Sequence, residues 1–200
     1  NNIVDVLEKE GAEVVVPELL DFFLYCCYNS KFKNRNLSGS SIVKTGCDIA
    51  ISYIESYRKV VIKELQNSER FGYPSSINNL AKKAANVVSL GNQTGEGWLL
   101  TGEMVELIES DVNNIVCIQP FACLPNHITG KGMIKALKSK YPLANIVAVD
   151  YDPGASEVNQ LNRIKLMMSV AFKNLKVPQQ DYNYRKEVKI DINTLRTNNI

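Results

Sequence analysis

The side chains best suited to chemistry lie in two short runs of the C-terminal half, Pro120 to Gly130 (PFACLPNHITG) and Asp150 to Ala155 (DYDPGA). The first holds Cys123, Asn126, Thr129 and the only histidine of the chain, His127. A thiolate at Cys123 would serve as a metal ligand or a nucleophile. Phe121, Leu124 and Pro125 around it form an apolar setting that would shield a metal-bound thiolate from water. A buried structural thiol is the plainer alternative, because free cysteines are among the most buried residues. His127 reads equally as a proton donor to a ligand or as a loop cap. Four residues separate it from Cys123, a spacing open to a nucleophilic pair, but no third group stands at a recognisable distance to orient the imidazole. Asp150 and Asp152 have the chemistry to hold Mg²⁺ or to act as acid and base. Capping the next helix is the blander role for them.

The remaining chemical groups are scattered. Cys117 falls inside an apolar run and reads as core; Cys26 and Cys27 are adjacent on an apolar helix and point apart; Cys47 has no partner at CxxC spacing. No metal motif emerges. The glycines at 95, 97, 130 and 132 do not form a dinucleotide fingerprint. Gly95-Glu96-Gly97-Trp98 precedes a helix, and its N–H groups are suited to an anion, although a helix-entry turn with Trp98 buried is the default.

Periodicity supplies the elements that must position these residues. Helices are expected at 2–10, 18–28, 42–66 (broken near Gly46), 76–88, about 97–109, 131–141 and 156–175. In the third of these, Ile49, Tyr53, Tyr57, Val60, Val61 and Leu65 trace the expected buried face. Strands are expected at 12–16 (AEVVV), 114–119 (NIVCIQ) and 145–150 (NIVAVD), with an edge strand at 187–192, and 29–41 reads as a polar loop. Strand, helix, strand, helix with apolar strands predicts a parallel sheet covered on both faces, so an α/β fold. The two chemical runs then leave the carboxyl ends of its strands, where ligands collect in open parallel sheets. Residues 1–175 form the expected α/β subdomain, with 29–112 a mostly helical insertion and 176–200 a polar tail.

Bulk properties narrow the class. A net charge of +2 gives no footing for nucleic acid, and the patch Lys31, Lys33, Arg35 reads as solvated loop. No run reaches the roughly 18 apolar residues of a membrane helix. Residues 1–20 carry five acidic side chains and no basic leader, so the five cysteines read as reduced thiols in a cytoplasmic protein. The chain starts without Met on the apolar face of a helix (Ile3, Val4, Leu7), which fits a piece of a longer polypeptide.

Several runs carry a resemblance. PFACLPNHITGKGMIKALKSKYP and DYDPGASEVNQLNRIKLM, with the earlier GEGWLLTGEM and EGAEVVVPELLDFFLY, resemble the C-terminal region of large activator-related proteins of the 2-hydroxyacyl-CoA dehydratase iron–sulfur family. The resemblance covers most of the chain to about Leu175. It implies a flavodoxin-like or Rossmann-like subdomain that contributes one ligand, Cys123, to a [4Fe–4S] cluster shared with N-terminal subdomains. It also implies that Phe121, Asn126, Asp152, Gln160 and Arg163 lie by the bound group, with His127 as the catalytic candidate. The partners implied are an activator ATPase domain and an acyl-CoA substrate. This chain has no phosphate-binding motif of its own, so it is not expected to hydrolyse ATP. With one well-placed thiol it is expected to be cluster-free and inactive by itself, an expectation that stoichiometric iron and sulfide in the chain would overturn.

Overall fold

The computed structural model describes residues 2–68, 71–152 and 154–175. The elements run α1 (Ile3–Lys9), α2 (Leu19–Asn36), α3 (Ser41–Gln66), α4 (Ile77–Ala85), α5 (Trp98–Glu109), β1 (Asn114–Pro120), α6 (Ile134–Lys140), β2 (Asn145–Tyr151) and α7 (Glu157–Leu175). Between β1 and α6 the chain makes a π-helical turn at Asn126–Gly130 and a 3-10 turn at Lys131–Met133. The molecule is a helix-rich α/β protein. The tail from 176 and the expected strand at 187–192 lie outside the described residues.

β1 and β2 pair in parallel, from Asn114 opposite Asn145 to Pro120 opposite Tyr151. Successive side chains of a strand point to opposite faces, so this register sorts the apolar residues into two layers. Ile115, Cys117 and Ile146 pack with Met104, Val105 and Ile108 of α5 and Leu137 of α6. On the other face Val116, Val147 and Val149 pack with Leu7 of α1 and Ile164, Met167 and Met168 of α7. Both faces are covered, which is why the strands are apolar throughout instead of alternating with polar residues. On α7 the buried stripe is Ile164, Met167, Met168 and Ala171, whereas Val158 and Phe172 are exposed.

The expected strand at 12–16 is absent. Ala12 and Val14 pack against the α1–α7 layer while Val15 and Val16 face solvent, and among the described residues no neighbouring strand supplies the hydrogen bonds that would hold the segment extended. A second correction concerns 29–41. Helix α2 continues to Asn36, and only residues 37–40 are loop. The polar residues there serve the helix. Asn29 is buried, Lys31 pairs with Asp48 at 3.3 Å, and Lys33 and Arg35 sit in the last turn, where cations favour the helix dipole. The expected break at Gly46 does not occur; α3 runs unbroken for 26 residues from its N-cap, Ser40.

α2, α3, α4 and the start of α5 form their own core around Trp98, Tyr25, Leu24, Ile77 and Leu80, with Ile51 the buried contribution of α3. Trp98 is fully buried and its Nε1 donates to Asn29 Oδ1 at 2.8 Å, so the indole leaves no polar atom unpaired. Arg58 of α3 is also buried, gathering Glu18 (2.6 Å), Asp21 (2.8 Å) and Glu55 (3.6 Å). Burial alone would lower its pKa, but Asp21, Glu18 and Glu55 together outweigh it and hold the guanidinium above its ordinary range. Asp21 is raised all the same, because its own desolvation exceeds what Arg58 returns. The α3 residues expected to face inward do the reverse: Ile49, Tyr53, Tyr57, Val60 and Val61 are exposed. Arg58 and its three carboxylates occupy part of the inner side instead.

Candidate functional site

β1 ends at Pro120, and the chain reverses through Phe121 and Ala122 so that the Cys123 N–H meets Pro120 O at 3.2 Å. Ala122 takes a φ of 54°, a left-handed value uncommon for a residue with a side chain. The turn delivers Cys123 to the carboxyl end of the strand, half-buried. Its thiol donates to Asn126 Oδ1 at 3.0 Å, and Asn126 Nδ2 donates to Ile118 O at 2.9 Å. The amide of Asn126 therefore fastens the thiol to the strand that precedes it. His127 Nδ1 lies 2.9 Å from the carbonyl oxygen of Cys123, not from its sulfur. A ring nitrogen facing a carbonyl acts as a donor, so Nδ1 of His127 caps the loop and Nε2 is left as the acceptor, while the thiol proton is directed to Asn126. Phe121 and Leu124 are 70% and 59% exposed; they form an apolar rim open to solvent, not a lid over the sulfur.

Supports for this loop come from residues distant in sequence. Thr101 of α5, fully buried, donates to Thr129 O at 2.6 Å, and Thr129 Oγ1 donates to Pro125 O at 2.8 Å. Gly95 packs so closely on Pro125 that a Cβ there would come within 2.7 Å of the proline Cγ, and its φ of 57° is a glycine conformation. The turn that opens α5 thus abuts the cysteine loop. Three of its N–H groups are already in use, since Gly97 donates to Thr94 O, Trp98 to Asn92 O and Leu99 to Glu96 O, which withdraws these three from an anion. Beneath the loop, Gln119 is buried with Nε2 3.1 Å from Cys117 Sγ and Oε1 without a partner. Sequence reasoning missed Gln119 and Thr101, and named Thr129 without its part in bracing the loop. A glutamine at the inward position of an apolar strand was the available signal for the first.

The Asp-bearing loop is tied up locally. Asp152 Oδ1 accepts from the Gly154 N–H at 3.1 Å, and Asp150 lies 3.5 Å from Lys131 Nζ. Gln160 and Arg163 of α7 donate to Asp150 O and Ala148 O, each at 2.9 Å. These two side chains hold the helix against the strand. Cys117 is core, its thiol pushed up by burial, and packing of α2 on α3 brings Cys27 beside Cys47, with burial and then Cys47 raising the Cys27 thiol. Among the described residues, no group of three or more Cys, His, Asp or Glu side chains converges to hold a metal ion. One thiol and one carboxamide do not make a complete metal site.

A second constellation adjoins the α5 turn. A groove of about 380 Å³ is lined by Pro17, Glu18, Leu19, Phe22, Leu99, Glu96 and Glu103. Burial, reinforced by the negative charges of Asp21 and Glu96, pushes the carboxyl of Glu103 up to about 8. At neutral pH this group carries its proton and can donate it.

No helix among the described residues is long and apolar enough to cross a membrane. Comparison with known protein families, with curated proteins and with solved structures gave no match to the chain.

Proposed function

We propose that this chain is the C-terminal, flavodoxin-like part of an iron–sulfur protein related to the 2-hydroxyacyl-CoA dehydratases and their activators. In this reading Cys123 supplies one thiolate to a [4Fe–4S] cluster whose other ligands come from outside the chain. The observation that carries it is the presentation of Cys123: a half-buried thiol at the carboxyl end of a parallel strand, fastened by Asn126 and braced by Thr129 and Gly95. A ligand held by a rigid second layer loses little freedom when a metal binds. The donor set of the described residues does not fit a whole cluster, so the reading needs a shared one. A bound cluster would accept and pass one electron, driven by a partner ATPase, toward chemistry on an acyl-CoA. The residues of this chain would position it and shape the approach to it.

The exposed rim of Phe121, Leu124 and Ile128 favours a second reading, in which the loop docks the activator ATPase and holds no cluster. A thiol-dependent enzyme using Cys123 and His127 has less support, since the thiol donates to Asn126 and not to the imidazole. Anaerobic iron–sulfide reconstitution of the longer protein, with and without Cys123→Ala, tests the choice by absorption and EPR. Loss or alteration of the cluster spectrum in the variant is expected. An unchanged spectrum, or no cluster in either protein, would leave the docking reading in its place.

A further inference from the structure

Helix α3 is apolar on two sides. One packs on α2 and α4; the other carries Ile42, Ile49, Tyr53, Tyr57 and Val60 at helical spacing, each at least 63% exposed. An amphipathic surface helix has one apolar face, and a helix apolar all round is covered on both. The ridge is ordered already: the rings of Tyr53 and Tyr57 meet edge-on at 5.1 Å, with their hydroxyls 3.1 Å apart. Beside it lies an apolar groove of about 370 Å³ between α3 and Pro74. The charges between Lys44 and Lys59, namely Asp48, Glu55 and Arg58, all turn to the inner side, where they are ion-paired. No charge therefore interrupts the exposed ridge over that stretch.

We propose that this ridge joins two copies of the chain, α3 packing antiparallel on α3 about a two-fold axis that passes between Ile51 and Ser52. The two halves of the ridge differ in size, and the difference selects the occupant. The first half holds the small residues Gly46 and Ala50; the second holds the bulky Tyr53 and Tyr57. In the antiparallel register Tyr57 lies over Gly46 of the second copy and Tyr53 over Ala50, while Val60 and Val61 meet Val43 and Ile42. A parallel pair would set tyrosine on tyrosine and leave the small residues facing a gap. Gly46 is an open notch, since a Cβ built there meets nothing within 4 Å. The exposed ridge offers on the order of 800 Å² per copy, which is what a standard interface buries on each side. An isologous contact needs such self-complementarity, and this ridge has it.

The test is sedimentation velocity on the whole 200-residue chain from about 1 to about 100 μM. The wild-type chain is expected to dimerise, and Ile49→Glu and Tyr53→Glu to sediment as monomers with unchanged helical circular dichroism and thermal midpoint. Gly46→Leu fills the notch without touching its own fold and is expected to weaken the dimer at least tenfold. Adding Tyr57→Ala to Gly46→Leu is expected to restore it. Residues 46 and 57 of one helix stand about 16 Å apart, so such a rescue runs between copies. A wild-type chain monomeric throughout assigns the ridge to a different occupant and overturns the proposal. A dimer indifferent to Ile49→Glu overturns it equally, and a failed rescue removes the antiparallel register.

Discussion

The sheet layer and the helical layer bury their side chains under different constraints. Around β1 and β2, each residue's side is decided by strand alternation, and helices cover both faces, so apolar residues of the paired strands find partners on either side. Around α2, α3 and α4 a single core takes one side of each helix, and a buried arginine with three carboxylates occupies part of the space. The apolar surplus of α3 is left on the outside. The lesson is that apolar periodicity identifies a helix, but it does not say which of two apolar sides the fold will use. The cysteine loop stands at the junction: β1 carries it, and the turn and first helix of the other layer brace it.

The largest expected effect at neutral pH separates the two layers energetically. Trp98→Ala should cost about 4 kcal/mol in urea denaturation, through the cavity it leaves and the orphaned Asn29 amide. A loss below about 1 kcal/mol would mean that the helical core contributes little to global stability. Next comes Glu103. The folded state keeps its proton to about pH 8, whereas the unfolded chain releases it near the ordinary 4.5, so the folded state binds more protons in between. Stability from this group is full below about 4.5 and is lost as pH rises to about 8. Glu103→Gln should flatten that slope and raise stability above it by up to about 5 kcal/mol, read by thermal melts across pH. An unchanged slope would place the carboxyl in contact with water.

Thr101→Val tests the brace between the layers. It removes the donor to Thr129 O and should cost about 1–2 kcal/mol. It should also quicken alkylation of Cys123, because the π-turn loosens. The smallest change is expected from Cys123→Ser, within about 0.5 kcal/mol of wild type. Mass spectrometry after brief treatment with a maleimide should find Cys26 and Cys123 labelled before the buried Cys117. If Cys117 reacts as fast, the sheet layer opens more readily than its packing implies.

How much of this was legible in the sequence follows from the same contrast. β1, β2 and α7 could be placed within a residue or two because β-branched runs in a buried parallel sheet leave little choice. The end of α2 could not, since the polar run from Asn29 to Asn36 looks like loop until Trp98 and Asp48 arrive as its partners. AEVVV has strand composition but, among the described residues, no strand beside it. At the site, the Cys123 loop was visible as a chemical run at a strand end. The orientation of His127, the anchoring by Asn126 and the support from Thr101 depend on backbone turns and on contacts across 28 residues, which no local pattern encodes.

Helix α7 also closes one border of the sheet. Carbonyls of alternate strand residues point to the same edge, and those of Ala148 and Asp150 are taken by Arg163 and Gln160, so they face away from β1. Side chains have closed that border of β2 in the way a further strand would. At Ile118 the carbonyl of β1 is likewise taken by a side chain, that of Asn126, so the cysteine loop closes on the strand that carries it.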